Sequence, residues 1–144
     1  MGRSRATPLD ANIGDTAQVL GYTLDTTQAH PGGILQVTIY WQPLSRTDVP
    51  YTVFLQLYDP AQGVIAQLDS YPGLGNYATT VWDEGRPIVD VYRLQIPADA
   101  PAANATLVFG LYNGADGLRL PVTGADAGPA ELAWVQFGAI AVVP

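Results

Sequence analysis

A chain of 144 residues is long enough to bury one core without a covalent staple, and its composition of 48 % apolar and only 13 % charged residues, with fifteen Gly and twelve Pro, excludes a helical bundle. Its six basic residues, all Arg, face thirteen acids, and the resulting charge of −7 excludes the basic stripe that nucleic acid requires. The lack of Cys and the single His exclude disulfides, thiolate catalysis and His-rich or Cys-rich metal sites.

Residues 1–16 are polar and contain Pro8 and Gly14, which reads as a flexible lead-in to a single domain over residues 17–144. The first strand is expected over residues 17–24. After the turn His30-Pro31-Gly32-Gly33, residues 34–42 give the cleanest period-two alternation, with Leu35, Val37, Ile39 and Trp41 set against Gln36, Thr38, Tyr40 and Gln42. Residues 51–58 alternate in the same way, with Tyr51, Val53, Leu55 and Leu57 facing inward and Thr52, Phe54, Gln56 and Tyr58 outward. These two strands are expected to pair as an antiparallel hairpin.

Asp59-Pro60-Ala61-Gln62-Gly63 is a tight turn into a short strand at residues 64–68, a second hairpin. Residues 69–87 form the longest irregular stretch and carry Tyr71, Tyr77 and Trp82; long ordered loops are often functional. Further strands are expected at 88–96, 105–112, 118–122 and within 130–143. The sum is an all-β fold of eight or nine antiparallel strands in two sheets, a β-sandwich of immunoglobulin-like or carbohydrate-binding-module-like type, with a small closed barrel as the alternative.

Several phrases, in this order and spacing, resemble a β-sandwich region at the extracytoplasmic end of bacterial (Chloroflexi-like) membrane glycosyltransferase-like proteins of the dolichyl-phosphate-mannose-protein mannosyltransferase type. They are Val19-Leu20-Gly21-Tyr22, Pro31-Gly32-Gly33-Ile34-Leu35 leading into Tyr40-Trp41-Gln42, Tyr51-Thr52-Val53-Phe54, and Asp69-Ser70 through Gly75 to Trp82. Asp90-Val91-Tyr92-Arg93-Leu94 follows, then Gly110-Leu111-Tyr112 with Arg119-Leu120-Pro121-Val122. The resemblance covers residues 19–122. It implies a non-catalytic accessory domain outside the membrane, part of a larger membrane-anchored protein, and brings no catalytic residues or cofactor. No apolar stretch approaches the roughly 20 residues that span a bilayer, so this chain itself is expected to be soluble. Its abrupt polar start suggests a piece of a longer protein.

Each chemical constellation has a plainer reading beside it. A triad of His30 with Ser45 or Ser70 and an Asp lacks the Gly-x-Ser-x-Gly frame, and an exposed turn histidine is the simpler account of His30. Asp83 and Glu84 are adjacent, whereas a glycosidase pair faces across about 5–9.5 Å, so a polar turn is the simpler account. Eleven Asp offer oxygen ligands to calcium, but no Asp-x-Asp-x-Asp loop gathers them. Gly73-Leu74-Gly75 lacks the Lys and helix of a phosphate loop, and Asn104-Ala105-Thr106 fits a glycosylation acceptor by a short pattern alone.

If the hairpin forms, its outward face carries Tyr40, Phe54 and Tyr58 among Gln36, Gln42 and Gln56. Aromatic rings flanked by amides can stack on sugar rings and bond their hydroxyls; Tyr71, Tyr77 and Trp82 of the loop extend the candidate surface. The alternative is burial of that face under a neighbouring domain of the parent protein. The sequence-level expectation is thus an accessory module for interaction or weak glycan binding, with a free-standing glycan-active hydrolase as the contrasting reading.

Overall fold

Alternation with β-branched and aromatic residues yields ten strands and two single turns of 3₁₀ helix, in a computed structural model that describes residues 6–73, 78–82 and 86–144. In chain order the strands are β1 (Thr7–Ile13), β2 (Ala17–Leu24), β3 (Gln28–Ala29), β4 (Ile34–Pro43) and β5 (Tyr51–Asp59). They continue with β6 (Gly63–Ser70), β7 (Ile88–Gln95), β8 (Ala103–Asn113), β9 (Val122–Thr123) and β10 (Val135–Val142). Two five-stranded sheets result, ordered β7-β4-β2-β1-β9 and β3-β10-β8-β5-β6. The count exceeds the eight or nine expected because β1 and the two-residue β3 join the set, while the strand expected at 118–122 shrinks to β9. The β3–β10 pair is parallel, against the expectation of uniform antiparallel pairing.

The inward phase of β4 is as expected: Leu35, Val37, Ile39 and Trp41 are buried in one core with Val53, Leu55 and Leu57 of β5. Trp41 of the first sheet meets Phe109 of the second edge-on, with centroids 5.2 Å apart. The two sheets therefore share one apolar interior. No helix among the described residues is long and apolar enough to cross a membrane.

Two expectations are corrected. The proposed lead-in contains β1, which pairs with β2 and β9 and buries Ala11 and Ile13 completely. Its turn into β2 places Gly14 and Asp15 at φ of 54° and 55°, with Thr16 N–H donating to Ile13 O at 2.9 Å. Two successive left-handed residues match the right-handed twist of a hairpin, and Gly and Asp tolerate them. The polar residues of this segment point outward and disguise a strand as a leader.

The second correction concerns β4 and β5, which do not pair. β4 lies between β2 and β7, and β5 lies between β6 and β8 in the other sheet. The connection between them crosses the end of the core and is tied to the 3₁₀ turn Thr79–Val81. The buried Thr79 hydroxyl accepts from Tyr51 N–H at 3.0 Å and donates to Val49 O at 3.0 Å. Arg46 Nε donates to Trp82 O at 2.6 Å. Alternation identifies each strand's inward face but says nothing about which strand sits beside it.

Candidate ligand-binding cleft

The six residues expected to form one platform occupy two opposite surfaces. Gln36, Tyr40 and Gln42 lie on the outer side of β4, whereas Phe54, Gln56 and Tyr58 lie on the outer side of β5, with the whole core between. Trp82 is no surface residue: it is completely buried and packs edge-on against Trp41 at 5.2 Å. Tyr71 is exposed after β6. Tyr77, Asp83 and Glu84 lie outside the described residues.

The outer side of the second sheet is nonetheless built up into a cleft. Pairing sets Phe54 opposite Asp69 of β6 and Gly110 of β8, and sets Gln56 opposite Gln67 and Val108. Gly110 makes the room: a Cβ there would fall 2.6 Å from Phe54 Cζ. A glycine inside a strand marks such a close approach. The Phe54 ring, 2 % exposed, joins Val108 and Trp134 in a second apolar cluster, with Tyr58, Tyr112 and Leu132 packed on it.

Arg119 closes one side. It bridges to Tyr112 in the strand pattern, holds its guanidinium carbon 4.3 Å from the Phe54 centroid and 5.6 Å from that of Trp134, and donates from Nη1 to Leu132 O at 2.8 Å. A guanidinium stacked on rings and bonded to a carbonyl is fixed in place while most of its N–H donors stay unspent. The opposite side is Asp69, whose carboxylate accepts from Tyr112 Oη at 2.6 Å and from Gln67 Nε2 at 2.7 Å. The hydrogen bond to Asp69, with desolvation and the charge of that carboxylate behind it, holds the Tyr112 phenol above its usual value.

The cleft encloses about 240 Å³ between Phe54, Gln56, Gln67, Asp69, Tyr112, Gly117 and Arg119. At its floor Gln56 is 5 % exposed, and its Oε1 is buried without a hydrogen-bond partner. An unpaired buried acceptor costs about 1–3 kcal/mol, and this one belongs to a side chain that lines the cleft.

Sequence reasoning found Phe54, Gln56 and Tyr58 but missed Gln67, Asp69, Tyr112, Arg119 and Trp134. The available signal was Gly110 within an apolar run. The cleft also needs β8 beside β5, and pairing β5 with β4 hid that neighbour.

The other candidates are engaged elsewhere. His30 Nδ1 lies 3.1 Å from Val143 O; Ser45 donates to Asp15 O at 3.2 Å and Ser70 to Tyr71 O at 3.0 Å. No group of three or more His, Asp or Glu that could hold a metal ion occurs among the described residues. Asp90, buried on β7, accepts from Tyr92 Oη at 2.8 Å and from Gly73 N–H at 3.0 Å, which anchors the segment after β6.

These features define an all-β protein with a small polar and aromatic cleft on an outer sheet face. No family model and no curated protein matches the sequence. Among solved structures the chain is similar to Spo0M, a sporulation control protein from Bacillus subtilis, with a TM-score of 0.52 and 14 % identity over 90 % of this chain. The match spans 50 % of the Spo0M chain. It is also similar to a Niemann-Pick type C2 protein from the Japanese carpenter ant, with a TM-score of 0.52 and 8 % identity, over 97 % of this chain and 100 % of that one. At these identities the likeness is one of fold.

Proposed function

We propose that this chain is a non-catalytic β-sandwich module of immunoglobulin-like type, an extracytoplasmic accessory part of a membrane-anchored glycosyltransferase-like protein, and that its cleft makes weak contact with glycan. The observation that carries the binding reading is the unpaired Gln56 Oε1 at the floor of a cleft whose walls present Arg119, Asp69 and Tyr112. The context rests on the order of phrases over residues 19–122. The non-catalytic reading rests on the engaged His30, Ser45 and Ser70 and on a chain without Cys or Lys to tune a proton-transfer site.

An open cleft buries little of a ligand, so the dissociation constant should lie near the millimolar range, about 4 kcal/mol of binding free energy. Titration of oligosaccharides followed by amide chemical shifts should move Phe54, Gln56, Tyr112 and Arg119. Shifts on the outer side of β4, or none at millimolar sugar, would remove glycan binding from this cleft.

A second reading, contact with a neighbouring domain, draws on the outer side of the first sheet. There Leu20, Ile34, Val89 and Val91 are exposed, Val89 to 59 %, and Val89 lies opposite Tyr40. Hydrogen exchange slowed on β4 and β7 in the parent protein relative to the isolated chain would support it.

A further inference from the structure

The donors and acceptors of the cleft select among sugars. Gln56 lines it, with an Oε1 that is buried and has no partner. Its wall offers the Asp69 carboxylate, which takes one donor on each oxygen, Gln67 Nε2 on Oδ1 and Tyr112 Oη on Oδ2, and so keeps a lone pair on each. Tyr112 spends its only proton on Asp69. Of the residues that line the cleft, Arg119 is the cation and Asp69 the anion, so the cleft carries no net charge. A ligand must therefore donate to the floor and to Asp69 and accept from Arg119, and an anionic group would be opposed by Asp69.

We propose that the cleft holds one neutral pyranose unit, whose hydroxyls donate to Gln56 Oε1 and to Asp69 and accept from Arg119, and that it disfavours sugars bearing a carboxylate. A hydroxyl suits this site because it both donates and accepts. A volume of about 240 Å³ falls below the roughly 300–1,000 Å³ of sites that enclose drug-sized ligands, and it suits a single ring better than a chain. Arg119 is fixed before the ligand arrives by Phe54, Trp134 and Leu132 O, so it is pre-organised as a donor. This inference rests on the glycan reading of the cleft and adds the class of sugar and the atoms that choose it.

The test titrates the purified chain with methyl glucoside, galactoside and mannoside and with the matching hexuronates, reading amide shifts. At least one neutral glycoside should move Gln56, Asp69, Tyr112 and Arg119 and saturate, with its hexuronate weaker by about threefold, the scale of one exposed charge contact. Gln56→Leu should weaken the neutral sugar about tenfold, the loss of one hydrogen bond, without lowering the melting temperature, because it removes an unpaired buried oxygen.

Asp69→Asn, at an exposed position, is the variant least prone to misfold; it should erase or reverse the preference over hexuronate and lower the Tyr112 phenol pKa in an ultraviolet titration. Equal or tighter hexuronate binding by the unmodified chain would overturn the inference and leave glycan binding standing. So would unchanged binding and preference in a folded Asp69→Asn or Gln56→Leu protein. No shifts at millimolar sugar, or shifts away from the cleft, would remove the glycan reading and this inference with it.

Discussion

Trp41 stands where the two sheets meet, fully buried between Trp82 and Phe109 with both rings edge-on at 5.2 Å. Trp41→Ala should cost about 3–5 kcal/mol, because a large aromatic leaves a cavity its neighbours cannot fill. Denaturant unfolding measures it, and a cost below 1 kcal/mol would contradict the packing described. Tyr92 makes a second residue-level case. Burial, with the Asp90 carboxylate beside it, pushes its phenol well above the usual tyrosine value of 10.0. The folded protein thus holds this proton more tightly than the unfolded chain does. Its contribution is complete below pH 10.0 and is lost as pH rises from there through the folded value. Melting temperatures from pH 8 to 11.5 should stay level and then fall steeply above about pH 10, and Tyr92→Phe should flatten that fall. Such alternating inward residues were legible in the sequence, since period two alone sets the face. Trp82 was not, because it lies outside any periodic run and only the folded chain brings it onto Trp41.

At the scale of elements, β1 separates the two ways of reading the N-terminal segment. Removing residues 1–14 would be harmless if they were a leader. In the structure the deletion strips Ala11 and Ile13 from the core and bares the edge of β2, which also approaches closely enough that a Cβ on Gly21 would lie 2.7 Å from Thr7 O. The truncated chain should lose its cooperative melt or aggregate through the exposed edge, as judged by calorimetry and size-exclusion chromatography. The β5–β6 hairpin was legible because a short turn, Pro60-Ala61-Gln62, joins consecutive strands. The β4–β5 pairing was misread because two clean alternations in succession look like a hairpin whether or not the connection crosses to another sheet.

For the whole molecule, one core shared by both sheets predicts a single transition, in which far-ultraviolet circular dichroism and tryptophan fluorescence coincide during urea unfolding. Separate transitions would mean that the sheets are held apart energetically. Reductant should change nothing, as the chain has no Cys. By itself the sequence determined the all-β class and the faces of the long strands, and it holds no Cys and a single His, because composition and period two are local properties. The tertiary structure alone decided which strands are neighbours. That choice separated Tyr40 from Phe54 by the thickness of the core and gathered Gln56, Asp69, Tyr112 and Arg119 from β5, β6, β8 and the segment after it. Sheet order is set by the summed packing of distant segments, and no short stretch of sequence encodes it.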